Sequence, residues 1–143
     1  MSNFTKTFKE LMGDNKIQPE TLKEYLNFAN NNFVYDWKNG KTMPTLINAN
    51  AVANFFKCSL DYLAGRTEDF KPVKVQDLKP FGQNLRKAIE NANISQNKII
   101  KDLNLSTHSI VSWLNNKTIP NFSSVIKLAE YLKISIDDLV GRE

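Results

Sequence analysis

Thr107, His108, Val111 and Ser112 lie within one stretch of six residues and offer two aliphatic hydroxyls, an imidazole and a branched apolar group on either side of Ser109 and Ile110. With Ile110 and Trp113 directed inward on a helix, the first four fall on the opposite face, Thr107 and His108 in the first turn. Such a face can donate and accept hydrogen bonds against an external surface. Covalent chemistry is another matter. His108 is the only histidine and Cys58 the only cysteine, so no metal-ligand spacing and no internal disulfide can be drawn. No glycine-rich phosphate loop and no nucleophile–base pair is evident. The residues point to binding rather than to enzyme activity, with no metal, no cofactor and no small-molecule ligand.

Periodicity supplies the elements that must hold this face. Phe81, Leu85, Ala88 and Ile89 share one face of a helix. Ser95 is placed to cap a short second helix that turns Ile99, Ile100 and Leu103 inward. Asn104-Leu105 makes a tight turn, and Ser106 caps a third helix carrying Ile110 and Trp113. That helix should stop at Asn115-Asn116, since asparagine tolerates a left-handed C-terminal position. After Pro120, Asn121 caps a fourth helix with Val125, Leu128, Ala129 and Leu132 buried, and Ser135 caps a short fifth. Asp61 and Asp137-Asp138 read as first-turn charges that favour the helix dipole. Only Val73-Lys74-Val75 alternates with period two. The expected fold class is all-α.

The chain then says nearly the same thing twice. Trp37-Lys38-Asn39-Gly40-Lys41-Thr42-Met43-Pro44 is echoed by Trp113-Leu114-Asn115-Asn116-Lys117-Thr118-Ile119-Pro120, and Leu60–Arg66 by Ile136–Arg142, each at an offset of 76. Upstream the offset is 77: Phe4, Phe8 and Met12 match Phe81, Leu85 and Ile89. One extra residue within Asn27–Asn32 accounts for the change. A repeat of this length implies two domains, 1–66 and 81–143, joined by a linker over 67–80. Fourteen linker residues reach at most roughly 46 Å at ~3.3 Å each.

Composition sets the remaining bounds. Of the 143 residues, 19 are Lys or Arg and 15 Asp or Glu, a net charge of +4. Residues 1–66 and 81–143 each carry 8 basic and 6 acidic groups, so both copies are mildly basic, which permits a phosphate-binding face without demanding one. No apolar run suits a membrane span, and the first residues lack the apolar core of a signal peptide. A single cysteine fits a reducing, cytoplasmic setting.

Residues 81–142 resemble the XRE-type helix-turn-helix of lambda-like phage repressors, Cro and many bacterial regulators. The resemblance rests on Phe81-Gly82, Ile94-Ser95-Gln96, Leu105-Ser106, Ile110 with Trp113, Asn115-Asn116-Lys117-x-x-Pro120, and the closing Ile134–Leu139. It implies that the third helix lies in the major groove of double-stranded DNA, with Thr107, His108, Val111 and Ser112 facing base edges. Gln96, Ser106, Asn115 and Lys117 would then hold phosphates. Ile89 and Leu114 stand where many such domains carry an Arg and a Glu, so an apolar contact is expected in place of an ion pair. In the first copy Pro19 replaces the phosphate-binding Gln, and Asn31, Asn32, Asp36 and Lys41 form a second candidate DNA site in which Asp36 is unfavourable beside phosphates. The expectation is a transcriptional regulator, a repressor of bacterial or phage type, acting as a homodimer or an intrachain pseudo-dimer. The rival is a protein-binding module, an antitoxin or anti-repressor that keeps the fold.

Overall fold

Phe4, Phe8, Leu11 and Met12 recur at the spacing of one helix face, and all four are buried along α1 (Asn3–Asp14). The same logic runs through the rest of the chain. A computed structural model describes residues 3–142; Met1, Ser2 and Glu143, which carry the outer bounds of the two expected domains and the first residues of the leader reading, lie outside them. Among the described residues there are ten helices and no strand. They fall into two units, Met1–Gln76 and Asp77–Glu143. The first holds α1, α2 (Pro19–Leu26), α3 (Asn32–Lys38), α4 (Leu46–Phe56) and α5 (Leu60–Leu63). The second holds α6 (Phe81–Ala92), α7 (Gln96–Asp102), α8 (Thr107–Leu114), α9 (Phe122–Leu132) and α10 (Ile136–Val140). None of these helices is long and apolar enough to cross a membrane.

Helix starts are set by side-chain caps, which satisfy backbone N–H groups that a first turn leaves without partners. Ser95, Ser106, Asn121 and Ser135 each accept from the backbone N–H three residues on, at 2.8–3.1 Å. Thr45 and Ser59 do the same in the first unit. Left-handed residues close the helices: Asn27, Lys57, Asn93 and Lys133 all have φ between 54° and 61°.

Each unit centres on one tryptophan. Trp37, fully buried, meets Phe8 and Phe28 edge-on at 6.0 and 5.9 Å. Trp113 is buried beside Ile110 and Leu114 where α8 packs on α6. Ile89 and Leu114 are both buried. The approach of the two helices is close enough to dictate a glycine: a Cβ on Gly82 would lie 2.3 Å from the Leu114 carbonyl oxygen. The Gly82 N–H donates to Asn116 Oδ1 at 2.7 Å, tying the start of α6 to the end of α8. Each unit closes on an ion pair, Arg66–Asp61 at 2.7 Å and Arg142–Asp137 at 3.1 Å, made across a turn whose glycine, Gly65 or Gly141, has φ near +78° (+77° and +79°).

Residues 67–76 do not behave as the tether that their composition suggested. Phe70 packs edge-on against Tyr62 at 5.2 Å, and the Val73 N–H donates to the Lys57 carbonyl at 2.9 Å. Asn54 then grips the main chain of Gln76 from both sides, its Nδ2 donating to the Gln76 carbonyl (2.8 Å) and its Oδ1 accepting from the Gln76 N–H (3.1 Å). Asn50 adds a second donor to that carbonyl at 3.1 Å. Both asparagines lie on α4 and are buried. The chain is thus held to the first unit through Gln76, and only residues 77–80 remain to join it to α6.

Candidate nucleic-acid interface

The turn between α7 and α8 is four residues long, 103–106, and is built from local rules. Asn104 takes a left-handed φ of +53°, and the Leu105 N–H returns to the Ile100 carbonyl at 2.9 Å. Ile99 is fully buried, while Ile100 and Leu103 are half-buried. Ser106 then opens α8, and Ile110 and Trp113 fix its rotation by turning into the core.

With that phase set, Thr107, His108 and Val111 are exposed together on the outward face, Val111 at 42%. Ser112 is not with them. It is buried, and its Oγ lies 2.7 Å from Thr118 Oγ1. Helical phase alone points Ser112 outward, but the chain beyond α8 folds back over it: Asn116 is left-handed (φ +57°), and the Lys117 N–H donates to the Ser112 carbonyl at 2.9 Å. The expectation that Ser112 faces the groove is therefore corrected; it anchors the loop that carries Asn115 and Lys117.

Gln96, Asn115 and Lys117 are exposed at the two helix ends where phosphate contacts were expected. Ser106 is exposed too, but its hydroxyl serves the helix, accepting from the Ser109 N–H (3.0 Å) and pairing with Ser109 Oγ (2.8 Å). One cluster beside this face was missed by sequence reading. Asp102, the last residue of α7, accepts from Tyr131 of α9 at 2.5 Å and pairs with Lys98 at 3.0 Å. The Tyr131 hydroxyl, and after it the Lys98 ammonium, hold the Asp102 carboxyl below the usual carboxylate range. The same hydrogen bond pushes the Tyr131 hydroxyl up, and Asp102 raises Lys98. Lys98 and Asp102 are visible in sequence as an i, i+4 pair; Tyr131, 29 residues on, is not.

The corresponding surface of the first unit is chemically different. Five residues, 27–31, separate α2 from α3. The Asn31 amide donates to the Glu20 carboxylate, which sets an acidic group beside the helix start. Asn32 and Lys41 are exposed and Asp36 is half-buried. The outward side of α3 instead presents Phe33 and Tyr35, 54% and 44% exposed, with Phe33 leaning on Phe28 and Trp37. Sequence reading singled out neither aromatic, and nothing in their spacing marks them as exposed. Among the described residues no group of three or more His, Cys, Asp or Glu side chains could hold a metal ion.

Residues 82–143 match the family model of a helix-turn-helix domain. No curated protein and no solved structure matches the chain. The second unit is accordingly similar to a helix-turn-helix domain in sequence, and its α7 and α8 are joined by a four-residue turn of the length that motif uses.

Proposed function

We propose that this chain is a sequence-specific DNA-binding transcriptional regulator of the XRE type, a bacterial or phage repressor that enters the major groove with α8. The observation that carries the reading is the shared exposure of Thr107, His108 and Val111 on a helix whose rotation is locked by Ile110 and Trp113. Thr107 and His108 hydrogen-bond base edges, and Val111 meets a thymine methyl. Gln96, Asn115 and Lys117 hold the flanking phosphates and set the register. Repression follows from occupancy of the operator, so the chain works without enzyme chemistry or cofactor. In this reading the two units are diverged copies of one domain.

Selection of binding sites from a random-sequence DNA pool, followed by gel shifts at two salt concentrations, tests it. A recurring motif whose affinity falls as salt rises is expected. No motif and no salt dependence would defeat the proposal.

A protein-binding role is the second reading, favoured by one observation: Phe33 and Tyr35 lie exposed on α3 next to the Glu20–Asn31 pair. That surface suits a protein partner better than a phosphate-walled groove, and it confines the rival to the first unit.

A further inference from the structure

We infer that the first unit holds the sugar–phosphate backbone of double-stranded DNA, at a site formed by Lys9, Lys16, Lys38 and Gln18. The inference rests on the regulator reading above but assigns a role to the unit for which base recognition is least suited.

An open concavity of about 520 Å³ lies where α1, α2 and α3 meet, lined by these four side chains over Met12 and Pro19. Its three lysines come from three places in the chain: the middle of α1, the turn before α2, and the last residue of α3. Four cations of the chain have carboxylate partners, in Lys23–Glu20, Arg66–Asp61, Lys98–Asp102 and Arg142–Asp137. No such pair is formed by Lys9, Lys16 or Lys38. Three like charges around one hollow repel one another, and an anion placed among them removes that repulsion. Gln18 precedes α2 without turning its amide back to cap it, which leaves a neutral donor at the rim. Met12 and Pro19 are buried beneath, giving an apolar floor.

A cationic rim over an apolar floor matches a phosphodiester flanked by deoxyribose, whose ring carbons need not be hydrated as the phosphate must. The site is not an echo of the second copy. At the offsets of the repeat, Lys9, Lys16 and Lys38 stand against Arg86, Asn93 and Leu114, and Leu114 is buried core. Beside the concavity, α3 carries Phe33, Tyr35 and an Asn31 already engaged by Glu20. The geometry therefore gives grip on the backbone without reading of bases, so the first unit adds affinity to whatever sequence the second selects.

The test uses the full chain and a duplex of unrelated sequence, with affinity measured over a salt series. The variant Lys9→Gln/Lys16→Gln/Lys38→Gln should flatten the log–log salt slope by roughly 2–3, at ~0.9 per phosphate released. Its charge-preserving counterpart, Lys9→Arg/Lys16→Arg/Lys38→Arg, should keep the wild-type slope. Melting curves of both variants show whether the fold is intact. An unchanged slope in the Gln variant, with motif selection by the second unit preserved, overturns this site and leaves the regulator reading standing. A wild-type chain that binds no duplex overturns both. Amide NMR shifts at Lys16 and Gln18 separate the sources of phosphate: the duplex should move them at concentrations where inorganic phosphate alone does not. Equal shifts at equal phosphate concentration would assign the hollow to a free anion and sink the proposal.

Discussion

Ser112→Ala removes the hydroxyl that meets Thr118 and is expected to cost about 1 kcal/mol of stability while leaving base preference unaltered. Thermal melting and site selection, run side by side, check the two halves of that statement. Thr107→Ala and His108→Ala should do the reverse. They should leave the melting point in place and change discrimination at one base pair each by roughly 1–3 kcal/mol. The difference between these neighbours shows what a sequence can disclose about a site. Thr107, His108 and Val111 were legible because Ile110 and Trp113 fix the phase of α8, and phase needs only spacing. Ser112 was not, since its burial comes from residues 115–118 doubling back, a tertiary event with no periodic signature. A pH-sensitive contact belongs to this scale too. Asp102 has a folded pKa below its unfolded one, so its contribution to stability is present above about pH 4 and fades as pH falls through the folded value. Tyr131→Phe removes the larger cause. The Asp102 carboxyl, followed by NMR titration, should then titrate at higher pH than in the wild type.

At the level of helices, most boundaries follow from capping chemistry written in the chain: Ser95, Ser106, Asn121 and Ser135 all start helices as their positions suggest. What pattern could not reveal is how tightly helices approach. Gly82→Ala would drive a methyl into the Leu114 carbonyl, and we expect a loss of roughly 3 kcal/mol, seen as a lower denaturant midpoint for the second unit. The closing ion pairs were also beyond sequence reading, which saw only the dipole value of Asp61 and Asp137. The Arg142 side chain is fully buried, and removing the partner of a buried charge leaves that charge in a poor medium. Asp137→Ala should therefore destabilise the second unit by about 3–5 kcal/mol. Asp138→Ala, exposed and four residues before Arg142, serves as the control and should cost well under 1 kcal/mol.

For the molecule as a whole, the all-helical class could be anticipated from helical periodicity and capping residues, but the length of the connection between the units could not. Asn50 and Asn54 have no counterpart in the second copy, where Ile126 and Glu130 stand at the same offset. Nothing in a repeat announces a feature present only once. The result is measurable by proteolysis. Lys71 and Lys79 precede prolines and resist trypsin, which leaves Lys74 as the cleavable bond between residues 67 and 80. Asn54→Ala should speed cleavage after Lys74 by about tenfold, in line with the loss of one to two hydrogen bonds.

Because these Asn54 bonds run to the amide and carbonyl of residue 76, they do not depend on the identity of its side chain. Nineteen of the twenty amino acids present the same two groups, and proline alone lacks the hydrogen that Asn54 Oδ1 takes up. A saturation library at that codon should thus vary little outside proline, and the Pro variant should loosen the junction most, since it loses one of the three hydrogen bonds made to residue 76.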